Sequence, residues 1–156
     1  MRLINEIIFH CSDSLWGDRD VIDDWHKARG WDGIGYHYVI MNGVINSDSK
    51  YDNNVDGMIE VGRDILKQGA HVRGHNQNTI GICLIGKRWF SSNQLISIKN
   101  LVNDLRGTFT KLKITGHYEY DKSKTCPNVD MDWLRDYLND NPVHILRRAH
   151  SPISAL

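Results

Sequence analysis

TIGICLIGKRWFSSNQLISIKNLVNDLRGTFTKLKITGH, residues Thr79–His117, reads as strand, helix, strand. Thr79–Ile85 is an apolar run with β-branched residues, short enough to be one buried strand. Ser91 and Gln94 have the spacing of a capping box, so a helix is expected from about Ser92 to Arg106. It turns Leu95, Ile98, Leu101, Val102 and Leu105 inward and stops at Gly107. Lys111–Thr115 is then a second strand, and His117 leaves its polar end.

The same alternation extends outward in both directions. Further strands are expected at Leu3–Cys11, Tyr36–Ile40 and, shorter, Met58–Val61. A helix from about Arg19 to Arg29 carries Val21, Ile22, Trp25 and Ala28 on one face and stops at Gly30, and another follows Asp130 as N-cap, burying Met131, Leu134 and Leu138. Strands interleaved with helices imply an α/β domain in which helices pack on a sheet. Two segments look added: the polar run Asn46–Gly57, expected as an extended hairpin tip, and a tail over 141–156 without periodicity. Residues 1–140 are expected to form the domain.

At 156 residues the chain is long enough for one domain with a sizeable core and too short for two ordinary ones. Nineteen basic residues against nineteen acidic ones leave no net charge, which argues against nucleic acid or an anionic membrane as partner. No apolar stretch reaches the roughly 20 residues of a membrane span, and the N-terminus lacks the pattern of a secretory signal, so residence in the cytosol is expected.

Three cysteines cannot all pair with one another. Cys11 and Cys83 sit in the apolar runs IIFHCS and IGICLIG and read as core residues, whereas Cys126 lies in the polar loop SKTCP beside Lys124. His10 and Cys11 are adjacent in a strand and point to opposite faces, so they do not serve one ion together. A histidine at a strand end is more often a packed or surface residue than a ligand. Here, however, His10 and His117 each leave a strand and Cys126 follows in the adjoining loop. Three such ligands leave one tetrahedral position open, the arrangement of a catalytic rather than a structural zinc.

Four ordered blocks carry a closer resemblance: IIFHCS (Ile7–Ser12), WHKARGWDGIGYHYVI (Trp25–Ile40), VGRDILKQGAHVRGHNQNTIGICLIG (Val61–Gly86) and GHYEYDKSKTCP (Gly116–Pro127). Over about residues 4–138 the chain resembles the zinc-dependent N-acetylmuramoyl-L-alanine amidases, which include short phage endolysins and share their fold with peptidoglycan recognition proteins. The resemblance implies a single domain with a central mixed β-sheet flanked by helices and zinc at the base of a cleft. It implies His10, His117 and Cys126 as zinc ligands, Tyr36 as the catalytic tyrosine, Lys124 as the residue that steadies the oxyanion, and His71 and Asn76 as substrate contacts. The implied reaction is hydrolysis of the amide between N-acetylmuramic acid and L-alanine of peptidoglycan by a monomer that is cytoplasmic until lysis releases it. The rival readings are a non-catalytic peptidoglycan-binding module and a cytosolic amidase that recycles muropeptides. The Asn46–Gly57 stretch reads as an insertion beside Tyr36 that reaches the rim of the groove.

Overall fold

A computed structural model describes residues 2–140, so the tail over 141–156 lies outside the described residues. Five strands, β1 (Glu6–Cys11), β2 (Tyr38–Ile40), β3 (Ile59–Val61), β4 (Thr79–Leu84) and β5 (Lys113–Gly116), form one sheet in the order β3-β2-β4-β1-β5. The β1–β4, β1–β5 and β2–β4 pairings are parallel, and β3 is the antiparallel edge, so the sheet is mixed. Strands β1 and β4 are buried along their whole length, as parallel strands covered on both faces must be.

Alternation along the strands divides the interior into two layers. Ile7 and Phe9 of β1, Ile80, Ile82 and Leu84 of β4, and Ile40 of β2 pack with Ile98, Leu101, Val102 and Leu105 of α2 (Ser92–Thr108) and with Met131, Leu134 and Leu138 of α4 (Met131–Leu138). The other face is smaller. Val39, Cys83 and Ile85 meet Ile22 of α1 (Arg19–Ala28) together with Ile34. His10 occupies a β1 position between Phe9 and Cys11, paired in register with Cys83, which assigns it to this second face.

The capping box of α2 forms as expected, since Ser91 Oγ accepts from Gln94 N and Gln94 Oε1 accepts from Ser91 N. Gly107 does not end α2. The helix runs on to Thr108, and Phe109, whose N–H donates to Leu105 O, packs against the core; this anchor outweighs the roughly 1 kcal/mol that a helical glycine costs. Ala28 of α1 is exposed and His26 is buried in its place, where His26 Nδ1 accepts the Gly35 N–H at 3.0 Å in exchange for a hydrogen bond to water. The short α3 (His117–Tyr120) had no sequence signal, being one turn long.

The Asn46–Gly57 insertion does not reach the rim of the cleft described below. It folds against the start of α2: Asp56 accepts from Ser91 Oγ at 2.6 Å, Tyr51 OH at 3.0 Å and Asn93 Nδ2 at 3.2 Å. A carboxylate with three donors holds the loop there, and no residue of the insertion lines the cleft.

Candidate active site

At the carboxyl ends of the parallel strands β1 and β5 lies a cleft of about 710 Å³, where open α/β sheets place their ligands. Its wall includes Cys11, His26, Tyr36, His71, His117, Lys124 and Cys126. Five of these come from different parts of the chain. Strand β1 supplies Cys11, α1 supplies His26, the segment before β2 supplies Tyr36, the segment before β4 supplies His71, and His117 opens α3 just after β5.

His10, His117 and Cys126 each offer a donor atom, and the three atoms lie within 4.8 Å of one another. The Cys126 loop is tied to both neighbours, because Tyr118 N donates to Cys126 O at 2.9 Å and Cys11 N donates to Cys126 Sγ at 3.2 Å. His10 is fully buried, and among the described residues its Nδ1 is the one buried side-chain nitrogen or oxygen without a hydrogen-bond partner. A buried polar atom left unpaired is costly unless something else is to fill the place. Two imidazoles and a thiolate suit a borderline-soft cation such as zinc, so the donor set and the unpaired nitrogen both fit one.

Electrostatics favour neutral imidazoles here. Burial pushes His10 well below the usual histidine range, reinforced by His71 and His117, and burial lowers His117 and His26 also. His71, which is buried, falls to about 3 by burial and then by the neighbouring His37. Neutral imidazoles are the metal-binding form. The Cys126 thiol is pushed up by the Cys11 sulfur and by burial, a shift that a divalent cation held by these residues would reverse by favouring the thiolate.

Tyr36 is half-buried on the wall, its ring centroid 4.9 Å from His10 and 5.3 Å from His26. Burial raises its hydroxyl well above the usual tyrosine value, so it is a neutral donor and acceptor. Lys124 is exposed on the same cleft, in a loop shaped by its N–H donating to Asp121 O at 3.0 Å.

His71 lines the cleft, and its Nδ1 faces His10 Nε2 at 3.0 Å. Asn76 does not line it. Its Oδ1 accepts from His71 N and Val72 N, both at 2.9 Å, and so holds the loop that carries His71. His26, which the sequence reading passed over, packs between Trp31 and Tyr36 at 4.6 and 5.3 Å. The signal was its place one turn beyond Ile22 on the buried face of α1.

Residues 2–129 match the family model described as N-acetylmuramoyl-L-alanine amidase. The chain is 31% identical over 144 residues to an endolysin of Enterobacteria phage K11, covering 84% of this chain and 85% of that one. It is 34% identical over 143 residues to the endolysin of Enterobacteria phage T3, covering 83% and 85%. Among solved structures, the N-acetylmuramoyl-L-alanine amidase LysC from Clostridium intestinale superposes with a TM-score of 0.72 at 26% identity, over 87% of this chain and 85% of that one. Drosophila PGRP-LB superposes at 0.66 with 26% identity, over 81% and 76%. With a family match across most of the chain, and a sheet that brings His10 together with His117 and Cys126 of the cleft wall, the chain belongs to the N-acetylmuramoyl-L-alanine amidase family.

Proposed function

We propose that this chain is a zinc-dependent peptidoglycan amidase that cleaves the amide joining N-acetylmuramic acid to L-alanine, working as an endolysin on the cell wall after release from the cell that makes it. The observation that carries the reading is the meeting of the His10, His117 and Cys126 donors within 4.8 Å at the cleft. A zinc ion bound there supplies Lewis acidity, which polarises an amide carbonyl and brings the pKa of water down to about 7.

The remaining chemistry belongs to the protein. The Lys124 ammonium, on the same cleft wall, stabilises negative charge as it grows on the carbonyl oxygen of the substrate. The Tyr36 hydroxyl, neutral and beside His10, orients the attacking water and passes a proton rather than removing one outright, since its pKa lies far above neutrality. The cleft lining carries Arg29, Arg73 and Lys124 against Asp13 and Asp121, a basic excess that suits a substrate with carboxylates, as a stem peptide has.

Among the described residues no helix is long and apolar enough to cross a membrane. The test is release of new L-alanine amino termini from purified sacculi, set beside soluble muropeptides. Hydrolysis of sacculi that a chelator abolishes and zinc restores is the expected result. Strong preference for the soluble fragments would favour a recycling role, and no amino-terminal release from either substrate would sink the amidase reading.

A further inference from the structure

Behind His71 on the cleft wall runs a hydrogen-bonded chain that is longer than the metal site needs. Thr79 Oγ1 donates its single proton to His75 O at 2.8 Å, so its contact with His71 Nε2 at 3.3 Å requires the imidazole to be the donor. With the proton on His71 Nε2, His71 Nδ1 is an acceptor. The 3.0 Å contact to His10 Nε2 then requires that His10 carry its own proton on Nε2. The outcome is a His10 whose Nδ1 bears a bare lone pair, and Nδ1 is the atom without a hydrogen-bond partner.

The His71 ring is also mechanically confined. A Cβ added at Gly81, in the middle of β4, would come within 2.6 Å of His71 Cδ2, and one added at Gly69 within 2.5 Å of the same atom. Both positions are therefore glycine for a reason of close approach rather than of turn geometry. Asn76 fixes the backbone from beneath by accepting the His71 N–H.

We infer that His71 is a positioning residue whose imidazole, oriented by Thr79 and clamped between Gly69 and Gly81, fixes His10 as the Nε2–H tautomer and so presents His10 Nδ1 to the metal. This deepens the zinc reading given above and rests on it for the identity of the ion. A residue that fixes the tautomer and ring plane of a ligand contributes about 10–100-fold to metal affinity.

Two measurements on the full chain separate the inference from that reading. In the metal-free protein, nitrogen-15 chemical shifts and long-range proton couplings report which nitrogen of His10 carries hydrogen; Nε2 is expected, and a proton on Nδ1 would overturn the relay whatever the chain binds. Zinc affinity by competition with a chromophoric chelator gives the second readout. His71→Leu is expected to weaken zinc about 10–100-fold, and His71→Asn, whose amide oxygen can replace the Nδ1 acceptor, to recover much of the loss. Thr79→Val should weaken it less, with Thr79→Ser close to the parent. Parental affinity in a folded His71→Leu variant would overturn the proposal. If His71→Leu does not fold, Thr79→Val and the parental tautomer decide. A parent that binds no zinc refutes the metal reading, and the tautomer measurement still judges the relay.

Discussion

The backbone N–H of Cys11, the last residue of β1, donates to the sulfur of Cys126 at 3.2 Å, so the strand that carries His10 also grips the loop that carries the third donor. The register of the sheet is thereby coupled to the candidate metal site, since β1 pairs with β5 and β5 leads into His117.

Cys126→Ala removes the only sulfur among the three gathered donors. We expect zinc content to fall to background and hydrolysis with it, with the far-ultraviolet circular dichroism retained because Cys126 lies at the cleft and not in either apolar layer. Atomic absorption on the dialysed protein, run beside a sacculus assay, checks both. Full zinc in the variant would contradict the ligand assignment.

Lys124→Ala should retain zinc and lose about 10²–10³-fold in kcat, the scale of one removed oxyanion donor. Lys124 is exposed, so no folding penalty is expected to obscure the result. A rise in KM alone, with kcat unchanged, would reassign Lys124 to substrate binding.

Tyr36→Phe keeps the ring that packs on His10 and His26 and removes only the hydroxyl. Zinc affinity should hold while turnover drops by about 10² or more, as for a lost proton-transfer group. Equal turnover in parent and variant would leave the hydroxyl without a chemical task.

His37 supplies a pH dependence of stability outside the metal site. Its Nδ1 accepts from Gly81 N at 3.0 Å, its Nε2 meets Lys67 O at 3.0 Å, and burial takes its pKa from 6.5 to about 4. The folded value lies below the unfolded one, so the unfolded chain binds more protons between them. Stability is whole above about 6.5 and is lost as pH falls toward about 4, at up to about 1.4 kcal/mol per pH unit from this group. Urea midpoints of the metal-free protein across that window should fall, and His37→Asn, whose amide can still accept from Gly81, should flatten the slope. An unchanged slope would remove His37 as a contributor.

Asp56→Ala should destabilise the fold by about 1–3 kcal/mol, because the Ser91, Tyr51 and Asn93 donors lose a charged acceptor. Activity per folded molecule should not change, since the insertion lies away from the cleft wall. A shift in preference among stem peptides would restore the insertion to the groove.

Much of this was readable in one dimension. The capping box at Ser91 and Gln94, the Asp130 N-cap and the apolar periodicity of α2 and α4 are local, and local signals survive in sequence. The meeting of His10, His117 and Cys126 was legible because strand ends of a parallel sheet gather at one edge, so the two histidines and the Cys126 loop had one place to converge as candidate ligands. The insertion was misplaced because a polar run says that it faces water and not which neighbour holds it; besides Tyr51 of its own loop, Asp56 found Ser91 and Asn93, 35 and 37 residues further along the chain. His26 was missed because an apolar pattern gives an imidazole little weight, although Gly35 N satisfies it in the interior.

By itself, then, the order of residues determined the α/β alternation, the family and the identity of the candidate ligands, because those depend on local periodicity and on residue types at recognisable spacings. Folding in three dimensions decided which nitrogen of His10 is left unpaired, why Gly81 interrupts an otherwise apolar strand, and that His71 stands against His10 while Asn76 holds the loop beneath. Those facts depend on the direction of hydrogen bonds and on approaches of a few ångströms between segments far apart in the chain, which no spacing along it encodes.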